Sequence, residues 1–174
     1  MKGLIIGLGS IARKHIKAIK LFDDSIGLYV LRRKQSSSSE LNNIVEINHL
    51  EHVPKVDFVI ISSPTFRHFS DLKRVLQLKV PLFIEKPVFD QITSAKEDLI
   101  TEIQQREIRT YVGCNLRHSK ILPLFKEKVN KAIYKGEKIQ EVNVYCGSYL
   151  PDWRPGTAYQ KSYSANEDMG GGVH

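Results

Sequence analysis

The chain has 174 residues, a hydrophobic share of 41% and a net charge of +7 from 26 Lys and Arg against 19 Asp and Glu. That length suits one domain and part of a second, with enough apolar residues for a core, and no apolar run approaches the roughly 18 residues of a membrane helix. The basic residues are scattered, with no arginine-rich tail and no basic segment interleaved with aromatics, so the charge suits an anionic small ligand and not nucleic acid.

Lys2-Gly3-Leu4-Ile5-Ile6 reads as a buried strand, and Gly7-Leu8-Gly9-Ser10-Ile11-Ala12 follows at once. From Ala12 to Ile19 apolar residues recur at helical spacing. Strand, G-x-G-x-x-A and helix form the context in which such a motif signifies dinucleotide binding. Gly7 permits the tight turn, Gly9 leaves room for a pyrophosphate, and Ala12 lets the helix lie close to its strand. The first N–H groups of that helix face the phosphates. The bland alternative is an ordinary strand-to-helix turn with two glycines.

Ser25 to Leu31 reads as a second strand. The residue ending it meets the adenosine ribose in a Rossmann unit, where an acid binds the NAD 2′-hydroxyl and arginine accommodates the NADP 2′-phosphate. This chain has Arg32-Arg33-Lys34 and no acid, which favours NADP, with NAD as the alternative. A short strand is expected at Ile44 to Ile47 and a helical turn at His49 to Val53. Asp57 to Ser62 reads as a strand buried on both faces, broken by Ser63-Pro64-Thr65. Phe66 to Leu78 reads as an amphipathic helix, Val80 to Ile84 as a strand closed by Glu85-Lys86-Pro87, Thr93 to Glu107 as a helix, and Arg109 to Cys114 as a sixth strand. Strand and helix alternate, so the fold class is α/β: a doubly wound parallel sheet. Its ligands bind beyond the carboxyl ends of the strands.

After His118 the pattern changes. Leu122 to Lys135 reads as a helix, and Ile139 to Leu150 as a long strand with period-two alternation. Pro151 to His174 has no period and contains the only tryptophan, Trp153. The expected domains are residues 1–118, a dinucleotide-binding unit, and 119–174, the beginning of an α+β domain. Cys114 and Cys146 imply neither a disulfide framework nor a zinc site. The first strand follows Met1 directly and leaves no room for a secretory signal. A cytoplasmic protein without a metal or a membrane partner is expected.

Four motifs in order, G-L-G-S-I-A-R-K-H at 7–15, I-I-S-S-P-T-F-R-H at 60–68, E-K-P at 85–87 and G-C-N-L-R-H at 113–118, resemble the Gfo/Idh/MocA family. That is the glucose–fructose oxidoreductase and inositol dehydrogenase group. The tail from Trp153 to His174 resembles the segment leading into that family's second domain. Y-L-P-D-W-R-P at 149–155 is similar to the subgroup found with bacterial surface-sugar biosynthesis.

The resemblance implies that Gly7, Gly9, Ser10, Ile11 and Ala12 hold the pyrophosphate. Ser62, Ser63, Pro64, Thr65 and His68 would line the nicotinamide half, and Glu85 would contact the nicotinamide ribose. Lys86 is implied as the catalytic lysine, and Arg117, His118, Trp153, Arg154 and Tyr159 as the substrate pocket. Many members carry Asp where this chain has Arg32, which puts NAD in doubt. The chemistry fits: hydride loss from a secondary alcohol requires loss of the hydroxyl proton, and a lysine there shares or positions it. The Lys86-Pro87 bond is a candidate for cis, because cis X-Pro serves tight turns.

The implied function is NAD(P)-dependent hydride transfer on a sugar, sugar derivative or nucleotide sugar, in a homo-oligomer assembled through the second domain. The alternatives are a dinucleotide-binding but inactive protein and a nucleotide-binding module of unrelated use. The family's further acid–base residues follow a glycine turn, here Gly170-Gly171-Gly172, and the sequence reaches only His174. The 1–174 polypeptide is therefore expected to bind dinucleotide without oxidising sugar.

Overall fold

Apolar runs bounded by glycine, proline and polar turns make the strands of this chain, and amphipathic segments between them make the helices. The structure, a computed structural model, describes residues 1–32, 44–153, 156, 158–169 and 171. In order these contain β1 (Lys2–Ile6), α1 (Ser10–Phe22), β2 (Gly27–Leu31), β3 (Ile44–Ile47), β4 (Phe58–Ile61), α2 (His68–Val75), β5 (Leu82–Ile84), α3 (Ser94–Gln105), β6 (Thr110–Val112) and α4 (Ile121–Tyr134). The predicted strands and helices up to Val112 are all present: β1 and β3 keep the expected bounds, α1 extends beyond the expected Ala12 to Ile19, and the others are shortened at their ends. The long helix expected at Phe66 to Leu78 is α2 with a 3-10 turn at each end. Lys79, in the left-handed region at φ 51°, ends it.

The six strands form one parallel sheet in the order β3-β2-β1-β4-β5-β6. That is a Rossmann sheet, with its switch point between β1 and β4. Alternation on the central strands divides the core in two. Ile5, paired with Val30 and Ile60, packs with Ala12 and Ile16 of α1 on one face. Leu4, Ile6, Val59 and Ile61 pack with Leu72 and Val75 of α2 and Leu99 and Ile103 of α3 on the other. Side chains such as Leu4, Ile5, Val59 and Ile61 are fully buried, each stabilising the fold by about 1.5–3 kcal/mol.

The chain divides into two compact units. The first is the sheet with its helices, from Met1 to Gly113, joined by the described residues from Gln160 onward. The second runs from Cys114 to Tyr159 and contains α4. The strand expected at Ile139 to Leu150 does not form: residues 139–149 pair with no other described strand, and Leu150 opens a 3-10 turn. Alternating Val142 and Val144 have the pattern of a half-buried strand, but a ladder needs a neighbour and both side chains are exposed. No helix among the described residues is long and apolar enough to cross a membrane.

Candidate functional site

The parallel sheet brings the ends of β1, β2, β4, β5 and β6 to one edge. At the end of β1, Gly7 stands at φ +89° and donates its N–H to Leu31 O at 3.1 Å. A Cβ there would lie 3.1 Å from the Ser63 Cα, so both its conformation and its closeness to the β4 loop require glycine. Gly9 caps α1 in extended conformation with no side-chain cap, and a Cβ on it would meet nothing within 4 Å. Ser10 and Ile11 are exposed on the first turn, and Ala12 is fully buried against the sheet. An uncapped helix N-terminus with open space before it fits a pyrophosphate.

The β4 end is held from within. Ser62 Oγ donates to Ile6 O at 3.0 Å and Ser63 Oγ to Asp71 Oδ2 at 2.6 Å. His68 is buried, with Nε2 2.8 Å from Ser63 O and Nδ1 3.1 Å from Val88 O. Ser62 and His68 therefore fix backbone, and Ser63 ties the loop to α2 through Asp71. Thr65 is buried and its hydroxyl meets that of Tyr163.

A cavity of about 610 Å3 is lined by Gly7, Gly9, Arg32, Asn48, Ser63, Pro64, Arg67, Asp71 and Arg74, among others. It spans the glycine turn and the ends of β2 and β4, the region of a dinucleotide's phosphates and adenosine. Arg32 Nη1 lies 3.2 Å from both carboxylate oxygens of Glu46 on β3. Arg33 lies outside the described residues.

At the end of β5, Glu85 Oε1 accepts a hydrogen bond from His15 Nε2 at 2.7 Å. Its other oxygen accepts from Lys86 N at 3.3 Å. The His15 ring meets Phe83 edge-on at 5.1 Å. A Cβ on Gly113 would lie 3.1 Å from the Glu85 carboxylate, so a side chain at the β6 end would crowd the Glu85 carboxylate. Burial opposes ionisation of Glu85. The hydrogen bond and charge of His15, with the N–H and ammonium of Lys86, outweigh it and hold the carboxyl below its usual value. Lys86 is exposed, and its bond to Pro87 is cis.

Arg117, His118, Trp153 and Tyr159 belong to the second unit. Arg117 and His118 are exposed in a 3-10 turn at Asn115–His118. Trp153 ends the turn Leu150–Trp153, and Tyr159 begins another. Arg154 lies outside the described residues. The structure thus gathers Gly7, Gly9, Arg32, Ser63 and Pro64 around one cavity, and Glu85 with Lys86 beside α1. Sequence reasoning missed His15, Asp71 and Arg67. For His15 and Arg67 the signal is available, since both lie in the quoted motifs at 7–15 and 60–68; Asp71 reads as an ordinary polar position of an amphipathic helix. Among the described residues no cluster of three His, Cys, Asp or Glu can hold a metal.

A family model described as an oxidoreductase family with an NAD-binding Rossmann fold, GFO_IDH_MocA, matches residues 1–114. An uncharacterized oxidoreductase, YrbE, of Bacillus subtilis is 28% identical over 142 residues, 76% of this chain and 40% of its own length. Myo-inositol 2-dehydrogenase of Thermotoga maritima is 24% identical over 132 residues, 72% of this chain and 39% of its own. The chain thus spans about 40% of the length of these curated relatives. The WlbA dehydrogenase of Chromobacterium violaceum, solved with NADH and UDP-GlcNAcA, shares the fold at a TM-score of 0.66 and 17% identity, over 76% of this chain and 40% of that one.

Proposed function

We propose, on the premise that this chain belongs to the Gfo/Idh/MocA oxidoreductase family, that it serves NAD(P)-dependent hydride transfer on a sugar, sugar derivative or nucleotide sugar. The observation that carries this reading is the tie between the glycine-turn helix and E-K-P. His15 of α1 bonds Glu85, so the site for the phosphates and the site for the reacting carbon are fixed to one another. A bound nicotinamide supplies the hydride acceptor or donor. Gly7, Gly9, Ser10, Ile11 and Ala12 hold the pyrophosphate, with Ser62, Ser63, Pro64, Thr65 and His68 shaping the neighbouring wall. Glu85, ionised and oriented by His15, takes the nicotinamide ribose hydroxyls. Lys86 holds the hydroxyl proton of the alcohol as it leaves. Arg117, His118, Trp153, Arg154 and Tyr159 form the substrate side.

NADP(H) is the preferred cofactor in this reading, since Arg32 and Arg33 replace the acid that selects NAD. The relatives' substrates, an inositol and a nucleotide sugar, support the polyol and sugar class. A role in surface-polysaccharide synthesis, a cytoplasmic location and a homo-oligomer formed through residues 119–174 complete it. The test is titration of NADPH and NADH by fluorescence, then turnover with sugars, polyols and nucleotide sugars in the active form of the protein. Lys86→Ala abolishes that turnover and leaves cofactor affinity within a few-fold. Undiminished activity places the proton elsewhere.

A further inference from the structure

The cavity wall carries more positive charge than its own carboxylate balances. Arg32, Arg67 and Arg74 line it beside a single acid, Asp71. Asp71 is almost fully buried, and its Oδ2 already accepts from Ser63. Its Oδ1 faces both helix arginines, Arg67 Nη2 at 3.7 Å and Arg74 Nη1 at 4.0 Å. Those separations are Coulombic and exceed hydrogen-bond reach. The carboxylate therefore anchors the two guanidiniums without taking up their donors. Arg67 Nε is buried and has no hydrogen-bond partner among the described residues, a costly arrangement for a cationic donor. On the opposite strands, Glu46 grips Arg32 with both oxygens, which partly neutralises the residue that sequence alone assigns to the cofactor.

We propose that Arg67, in the 3-10 turn before α2, and Arg74 of α2, acting across the cavity from Arg32, are specificity-determining residues that bind the 2′-phosphate of NADP(H). The proposal deepens the dinucleotide reading above and rests on it. Two features place the phosphomonoester here and not the pyrophosphate. The pyrophosphate has its own site at the uncapped start of α1. The arginine-lined part of the wall also includes Leu31, Arg32 and Asn48 from the ends of β2 and β3, where a Rossmann sheet meets the adenosine ribose. Guanidinium forks match phosphate oxygens in pairs, which an ammonium does not. A ribose bearing only a 2′-hydroxyl would leave the surplus charge uncompensated.

The test is equilibrium binding to the protein, with NADPH, NADH, adenosine 2′,5′-bisphosphate and adenosine 5′-diphosphate as probes. Native protein binds NADPH at least about tenfold more tightly than NADH. Arg67→Gln and Arg74→Gln each weaken NADPH and adenosine 2′,5′-bisphosphate about tenfold, and leave NADH and adenosine 5′-diphosphate within about twofold. Arg74→Lys restores only part of the loss. Arg106→Gln, which breaks a helix-surface pair with Glu102, changes none of the four. Thermal unfolding checks each variant. Should Arg67→Gln fail to fold with Asp71 left buried, the half-exposed Arg74 carries the test alone. Equal loss for both dinucleotides, or no loss in either variant, overturns the proposal. Native protein that binds NADH as tightly as NADPH overturns it while leaving the dinucleotide reading intact. Protein that binds neither dinucleotide overturns both.

Discussion

The two units use similar residues to different ends. From Met1 to Gly113, each strand lies beside another and each sheet helix lowers apolar side chains onto the sheet. From Cys114 to Tyr159, no described residue is buried. Helix α4 displays Ile121, Leu122, Leu124, Phe125 and Ile133 to solvent, and Val142, Val144 and Tyr145 stand exposed with no ladder. Apolar content therefore does not make a core by itself. A βαβ unit carries its own cover, since the helix that follows a strand packs back on the same sheet. An alternating strand carries only half of an interface.

The sharpest way to break this contrast is to remove one large apolar side chain from each unit. Ile61, fully buried at the centre of the sheet, is expected to cost about 2–5 kcal/mol as Ile61→Ala. Phe125, larger but 59% exposed, is expected to change stability by about 0.5 kcal/mol or less as Phe125→Ala. Urea unfolding followed by far-UV circular dichroism measures both. A loss at Phe125 comparable to that at Ile61 would show that α4 has a core of its own.

A smaller contrast lies in two glycines with positive φ. Gly7→Ala adds a Cβ in a left-handed conformation against the Ser63 backbone. It is expected to cost about 1–3 kcal/mol and to abolish dinucleotide binding. Gly136 closes α4 at φ +81°, with Glu137 N donating to Ala132 O at 3.1 Å, but a Cβ there meets nothing within 4 Å. Gly136→Ala bears the conformational cost alone, about 1 kcal/mol. Thermal midpoints and NADPH titration separate the two. Dinucleotide binding retained by Gly7→Ala would remove the glycine turn from the site.

What the sequence disclosed follows the same division. The first unit is legible because its signals are local: unbroken apolar runs make buried strands, and Gly7, Gly9 and Ala12 sit at fixed offsets in a turn with a mechanism. The cis bond at Lys86-Pro87 was legible from residue type at a turn. The strand at Ile139 to Leu150 was misread because period two reports a preference, whereas a strand exists only with a partner. The tail is expected in the second domain, yet its described residues from Gln160 onward group with the first unit; a segment with no period gives no clue to what it will touch. The bond between Ser63 and Asp71 is invisible for a related reason. It follows from α2 docking beside the β4 loop, a tertiary event that helical spacing does not report.

The finest contrast is between two ion pairs of nearly equal length. His15 and Glu85 meet at 2.7 Å with side chains 22% and 13% exposed. Lys131 and Glu127 of α4 meet at 2.6 Å with side chains 69% and 57% exposed. Solvent screens the second pair, so Lys131→Ala is expected to cost about 0.3 kcal/mol, with little left in high salt. His15→Ala removes a partly buried hydrogen bond to a carboxylate and is expected to cost about 1 kcal/mol at neutral pH. The sign of the pH dependence follows from Glu85. Its folded carboxyl sits below its ordinary value of 4.5 despite burial, and His15 supplies the leading stabilisation of the charged form. A depressed acid contributes stability that is fully present above the unfolded value and is lost as pH falls through the folded one. The difference between native protein and His15→Ala therefore shrinks below pH 4.5 as Glu85 protonates. Urea midpoints at a series of pH values measure that difference. A gap that does not close as pH falls through the range in which Glu85 protonates would mean that His15 does not stabilise the Glu85 carboxylate, and the tie between α1 and the E-K-P turn would lose its electrostatic basis.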